Sequence, residues 1–345
     1  MKKWNLSSGT NFLLLLALLL NPMTATAADI TEQLHNQVNR SVFQQLTDEA
    51  DSFLRQGEEE YRQGRPDKAV ESWLQALKIY HSLKDIKAQG LTYDSLSKGY
   101  VQLGRYKEAE DAMRRRLAIA RDVQDFQGQI FGLNNIGGLF LQKGEYSSAF
   151  KTFNDALEIA RNLKNIEGQG LSLSNLGLAT ARLGDYNRAI KLYENALVYR
   201  RQMNDAIGEA TTLNNLGDAY LGTKNYADTI GAYGAALRIA KMSRDRINQI
   251  RAIDGLVIAH SHVGRYERAF DLLEDRLALA QELQSLQEQL NSFESYARVY
   301  EQMGNYTTAS NFYERAIALA QVLKNSQQEV LLLDRLTQLR RKTSN

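Results

Sequence analysis

The feature that most constrains this chain is a period of forty residues that runs without a single insertion. Glycine stands at Gly64, Gly104, Gly144, Gly184, Gly264 and Gly304, with Lys224 in the remaining place. Two residues later come Tyr106, Tyr146, Tyr186, Tyr226, Tyr266 and Tyr306, with Pro66 in the first copy. Five after the glycine stand Ala69, Ala109, Ala149, Ala189, Ala269 and Ala309, with Thr229 as the exception. Three residue types held in one phase define seven copies, at residues 50–89, 90–129, 130–169, 170–209, 210–249, 250–289 and 290–329. One such unit cannot bury its apolar surface alone, so neighbours must stack into a continuous core.

Within each copy the apolar spacing is helical. In the fourth copy Leu173, Leu176, Thr180 and Leu183 form one stripe, and Tyr186, Ala189, Ile190, Tyr193, Ala196 and Leu197 form a second. The glycine between them suits a helix C-terminus, because it takes a positive φ without a Cβ clash. Twenty-one residues past each turn glycine stand Asp85, Asp125, Asn165, Asp205, Asp245, Ser285 and Asn325. All seven are N-cap types, each worth about 1 kcal/mol to the helix that follows. Only two prolines, Pro22 and Pro66, interrupt the chain. The fold class expected is therefore all-α, with two helices per copy.

The pattern resembles the tetratricopeptide repeat (TPR): Leu216-Gly217 with Tyr220, Gly184-Asp185-Tyr186 with Ala189, then Ala196-Leu197. The common form of that repeat has about 34 residues. The forty-residue variety is similar to the repeats of kinesin light chain and of spindle-orientation adaptors, the latter especially over "RRLAIARDVQD" (115–125). The resemblance implies a TPR solenoid, a right-handed superhelix of antiparallel helix pairs. Beyond the repeats, residues 28–49 read as a helical segment out of phase with them. Residues 326–341 read as a final helix with Val330, Leu332, Leu333, Leu336 and Leu339 on its apolar side, and residues 330–345 as the capping helix and tail.

The first 27 residues read as a signal peptide. Lys2 and Lys3 precede an apolar run, Phe12 to Leu20, and Ala25-Thr26-Ala27 offers a cleavage site. The run is short of the roughly 20 apolar residues that a span requires. Export is expected, to the periplasm or, in a cyanobacterium, the thylakoid lumen; an uncleaved segment would instead anchor the chain to a membrane. Loss of Lys2 and Lys3 from the 42 basic residues balances the 40 acidic ones. That leaves no basic excess for binding nucleic acid.

Catalytic and cofactor chemistry finds little support. The chain has no cysteine, which excludes disulfides and thiolate metal sites. His260 and His262 are two apart, so on a helix their rings diverge, whereas a metal pair wants i, i+4. His260 takes the place of Tyr220 and Tyr300 in other copies and reads as a packing residue. Gly132, Gly137 and Gly138 imitate a phosphate-binding loop, but Gly138 stands where its lysine belongs and Leu139 where its hydroxyl belongs. Gly137 matches Ser97, Gly177, Gly217 and Ala297 in other copies, with Val257 as the outlier, and so marks a close helix crossing. No enzyme activity, cofactor or metal is expected.

The resemblance implies a concave face lined by the first helix of each pair. Its sixth position holds Ser95, Asn135, Asn175, Asn215, Gly255 and Ser295. A ladder of primary amides can both donate to and accept from an extended peptide backbone; the same amides can equally bond structural groups at the helix crossing. The groove is assigned Asn135, Asn175 and Asn215, their neighbours Asn134 and Asn214, Gly138, Phe131, Leu171, Lys98 and Asp218. The lysines and arginines of the chaperone-type carboxylate clamp are missing at their positions, where Asp94, Asn134, Leu91 and Leu171 stand.

The reading is an exported scaffold that binds a segment of a partner protein, a membrane protein among the candidates, in its concave groove. A self-assembling structural repeat protein is the rival, separable by concentration-dependent size. A third reading comes by analogy: "NNIGGLFLQKGEYSSAF" resembles runs in cyanobacterial TPR proteins, some exported members of which assist assembly of photosynthetic membrane complexes.

Overall fold

The computed structural model describes residues 27–343, with side chains from 40 to 342. The signal-peptide expectation falls on residues outside this range apart from Ala27. Fifteen helices and no strands make up the described residues: α1 (Ala27–Arg62), α2 (Pro66–Leu83), α3 (Ile86–Gln102), α4 (Tyr106–Asp122), α5 (Phe126–Gln142), α6 (Tyr146–Asn162), α7 (Ile166–Arg182) and α8 (Tyr186–Gln202). Then follow α9 (Ala206–Gly222), α10 (Tyr226–Ser243), α11 (Arg246–His262), α12 (Tyr266–Glu282), α13 (Leu286–Gln302), α14 (Tyr306–Val322) and α15 (Ser326–Thr343). Helices α1 and α2, and each pair from α5 and α6 to α13 and α14, form an antiparallel TPR unit. α1 runs unbroken through residues 49 and 50, so the N-terminal segment and the first repeat share one helix.

All seven expected caps form. Asp85, Asp125, Asn165, Asp205, Asp245, Ser285 and Asn325 each accept from the backbone N–H three residues on, at 2.7–3.2 Å. Asp185, Asn225 and Asn305 cap second helices in the same way. The helix ends are also satisfied. The N–H of Gly144 bonds the Leu141 carbonyl at 3.1 Å and that of Glu145 the Phe140 carbonyl at 2.8 Å, a left-handed C-terminal turn. The turn at Gln124 makes the same bonds, Gln124 to Arg121 and Asp125 to Ala120. Thus both rows of turns use one geometry, but only one row carries glycine. The other holds Lys84, Gln124, Lys164, Asn204, Arg244, Gln284 and Lys324 at φ of 51–57°.

Packing inside each copy follows one rule of size. A Cβ added at Gly137 would lie 2.4 Å from the Phe153 ring, at Gly177 2.6 Å from Tyr193 and at Gly217 2.8 Å from Tyr233. The first helix has no side chain there because the second helix drives an aromatic ring against its backbone. In the sixth copy, where that position is Val257, the opposing residue is the smaller Leu273, whereas the seventh copy keeps Tyr313 opposite Ala297. Val257, an outlier in the first helix alone, is thus compensated in the second. Tyr233 reaches further, since a Cβ at Gly255 of the next copy would lie 2.2 Å from its ring.

The contacts fall into two compact units, divided between Gly99 and Tyr100. In the first, Trp73 lies against the backbones of Gly57 and Gly99. Ala50, Ala76 and Tyr80 form a small core with Phe53, Leu54 and Ile79 around it, and the Tyr80 hydroxyl donates to Asp51 at 2.5 Å.

Apolar clusters of described residues run along the stack of the second unit. They are centred on Phe153 and Leu176, on Tyr193 and Tyr233, and on Tyr313 and Leu336. In the stripes read from the sequence, Leu173, Leu176 and Thr180 are buried, whereas Leu183 at the turn is half exposed. On α15, Leu332, Leu336 and Leu339 are buried but Val330 and Leu333 face water. The second-helix position held by Ala156, Ala196, Ala236 and Ala316 carries Arg276 in the sixth copy, only 2% exposed. Its guanidinium donates to Asp254, to the Glu288 carbonyl and carboxylate, and to Ser292. All five of its N–H groups are occupied, as a buried arginine requires.

Two outcomes test this account by urea unfolding. Gly137→Ala should cost about 1–3 kcal/mol by overpacking, and adding Phe153→Leu should cost less than the two single changes summed. Lys224, at φ 59° in the row where other copies have glycine, should gain roughly 0.5–1 kcal/mol on Lys224→Gly, because the left-handed strain is removed.

Candidate functional site

The first helices of the second unit form a distinct face. The backbones of α5, α7, α9 and α11 each pack close to the next odd-numbered helix, whereas even-numbered helices among the described residues meet through long side chains, as where Lys241 reaches Asp275 and Arg188 lies over Phe150. The odd helices therefore line the inner side of the stack. On α5, Phe131, Asn135 and Gly138 are spaced i, i+4, i+7 and share one strip; Leu171 and Asn175 continue it on α7.

The amides divide by burial. Asn134 is 4% exposed, and its Nδ2 donates to the Ile130 carbonyl and to Ser172 Oγ, both at 2.9 Å. Asn175 donates to Asn134 Oδ1 at 2.9 Å. Asn214 is fully buried, and its Nδ2 donates to the carbonyl and Oδ1 of Asn248 at 3.2 and 3.0 Å. Asn215 is buried and accepts from Arg251 at 2.7 Å. These four join α5 to α7 and α9 to α11, so the structural role weighed from the sequence is the one their geometry serves. Asn135 differs: it is exposed and makes no hydrogen bond among the described residues.

Gly138 stands beside it in open space, with nothing within 4 Å of where a Cβ would be. A helix-interior glycine costs about 1 kcal/mol relative to alanine, and no packing in this chain asks for it. Phe131 and Leu171 are half-buried at the edge of the same strip. Together these residues make a small, uncharged, partly apolar surface with one free amide.

Toward the C-terminus the face becomes charged. Asp218 accepts from both the Tyr233 hydroxyl and Arg251. Burial first, and the Asp218 carboxylate next, push the Tyr233 phenol well above its usual range, so it remains a donor. Asp218 is therefore a bonded group rather than a free charge. Gly255, assigned to the groove by register, lies buried beneath Tyr233. A groove of about 940 Å³ opens between α13 and α15, lined by Glu294, Arg298, Glu301, Gln328, Arg335 and Lys342 among others.

In the first unit, Lys98 and Leu91 line a separate groove of about 480 Å³ between α1 and α3 with Arg55, Glu58, Asp94 and Ser95. Ser95 Oγ donates to Glu58 at 2.8 Å. Among the described residues no group of three His, Asp or Glu side chains could hold a metal, and no helix is long and apolar enough to cross a membrane. His260 is buried, and burial followed by Arg265 and Arg268 holds its imidazole below its ordinary value.

Family models for the tetratricopeptide repeat match residues 48–122, 129–202, 208–282 and 290–322. The chain belongs to the tetratricopeptide repeat family. No curated protein matches it. Among solved structures, apo RapI is 17% identical over 80% of this TPR chain and 99% of its own, with a TM-score of 0.63. Aspartyl phosphate phosphatase F from Bacillus subtilis is 14% identical over 85% of this chain and 75% of its own, at 0.64. A Rap protein complexed with competence and sporulation factor is 19% identical over 80% and 76%, at 0.54. At these identities the likeness is one of TPR fold.

The two classes of amide in this TPR face should separate in thermal or urea unfolding. Asn134→Ala should cost about 1–3 kcal/mol, because buried partners lose their bonds. Asn135→Ala should stay within about 0.5 kcal/mol of the parent, as surface changes do.

Proposed function

We propose that this chain is an exported, non-catalytic TPR scaffold that holds a segment of a partner protein against the inner strip of α5 and α7. The observation that carries the reading is the pair Asn135 and Gly138. One is an amide with no bond among the described residues, and the other is a glycine with nothing within 4 Å of where its Cβ would be. A missing Cβ lets a partner's backbone approach, and a free amide can donate to it and accept from it. Phe131 and Leu171 add apolar contact on either side. The Rap protein complexed with competence and sporulation factor gives a precedent for a ligand held by a helical stack of this fold. Export rests on the pattern of the first 27 residues.

The experiment is site-specific photo-crosslinking in the source cells from an aromatic photoreactive residue in place of Phe131, which keeps a ring at the edge of the strip, with mass spectrometry of the adduct. Gly138→Leu, which fills open space and replaces a poor helix former, should leave melting equal or higher and abolish capture. Undiminished capture of the same protein by Gly138→Leu, or no adduct from residue 131, would remove the strip from consideration.

A further inference from the structure

The second unit has two long edges, one at each row of turns, and they differ in chemistry. Where a first helix gives way to a second, the left-handed corner carries Gly104, Gly144, Gly184, Gly264 and Gly304. Where a second helix gives way to a first, the corner carries Gln124, Lys164, Asn204, Arg244, Gln284 and Lys324 at φ of 51–57°. Long side chains at such corners are strained relative to glycine, so their presence calls for a reason other than the turn itself.

That same edge carries the most exposed large apolar side chains among the described residues. Met242 and Ile247 are each 80% exposed on either side of Arg244, and Ile207 is 60% and Met203 46% exposed on the adjacent turn. The two turns are neighbours. Asn248, next to Ile247, donates to Thr211, one helical turn beyond Ile207, at 3.0 Å. Scattered exposed apolar residues are ordinary, but two adjoining turns presenting four form a patch. The row continues through Leu163 and then Val123 and Phe126, all 44% exposed or more.

Charge identifies what such a patch fits. Of the six cations at residues 200–207 and 238–247, Arg200, Arg201, Lys241 and Arg246 pair with Asp205, Glu209, Asp275 and Glu282. Arg238 and Arg244 are exposed and make no ion pair among the described residues. Apolar side chains that project beside two exposed, unpaired arginines match a bilayer with anionic headgroups, where the chains insert and the guanidinium groups meet lipid phosphate. From this we infer that the edge centred on the 203–207 and 242–247 turns docks peripherally on an anionic lipid surface. The inner strip of α5 and α7 lies on the flanks of helices, not at their ends, so this docking stands independently of partner binding.

The test is co-sedimentation of the chain beginning at Ala28, the processed form expected from the sequence, which retains all fifteen helices. The probes are phosphatidylcholine vesicles and mixed phosphatidylcholine–phosphatidylglycerol vesicles. The expected result is binding to the mixed vesicles, with at least ~10-fold weaker binding to phosphatidylcholine alone and weakening by salt. Met242→Ser with Ile247→Ser should reduce mixed-vesicle binding by a similar factor at unchanged melting temperature. Arg244→Gly should raise the melting temperature while weakening vesicle binding, a pair of opposite effects that a purely structural arginine would not produce. Equal binding to both compositions, no binding to the mixed vesicles, or full retention in the double serine variant overturns the proposal. So does a double variant that dissolves a dimer without changing vesicle binding, which would make the edge a contact between copies.

Discussion

The stack depends on one contact repeated along it: an aromatic ring of the second helix pressed on bare backbone of the first. Phe153 on Gly137, Tyr193 on Gly177, Tyr233 on Gly217 and Trp73 on Gly57 are the same contact at intervals of forty or eighty residues. Each glycine weakens its own helix by about 1 kcal/mol, and each ring removes a large apolar surface from water in return. The crossing distance of these four pairs follows from this fit. So does the register of the amides and charges that the first helices present on the inner face.

Much of this architecture is legible in the chain because it is local. A turn glycine, an N-cap aspartate and an i, i+4 apolar stripe are each decided within a few residues, and the forty-residue phase averages away their exceptions. The size rule was legible too, but only when two positions sixteen residues apart are compared. Val257 looks anomalous until Leu273 is set against it. The left-handed corners at Lys84, Gln124 or Arg244 were not legible, since nothing in those side chains announces a positive φ; the signal lay in their fixed place before the cap. Arg276 had a signal as well, a charge breaking a run of buried alanines, but its partners Asp254 and Glu288 lie on other helices.

The inner face was the least legible part, for a physical reason. Adjacent asparagines on a helix point about 100° apart, so Asn134 and Asn135 have different surroundings although sequence makes them look alike. Asn134 turns toward α7 and bonds Ser172, while Asn135 turns to solvent. Asn215, in register with Asn135, is claimed by Arg251, a residue with no counterpart cation in the third or fourth copy. Repeat register therefore transfers backbone position faithfully and side-chain availability poorly, because availability depends on what the next copy supplies.

The ring-on-glycine contact also bears on how such a chain changes length over time. In every case both halves of the contact belong to the same copy, so a segment of forty residues carries its own lock and key. Gene duplication or loss of one whole segment leaves the remaining fits intact, and the N-cap at each junction is rebuilt by the incoming copy. Tyr233 and Trp73 are the exceptions, because their rings also occupy the space above Gly255 and Gly99 in the following copies. The fifth and sixth segments, like the first and second, are thereby tied to one another, and inheritance should treat each such pair as a single block of eighty.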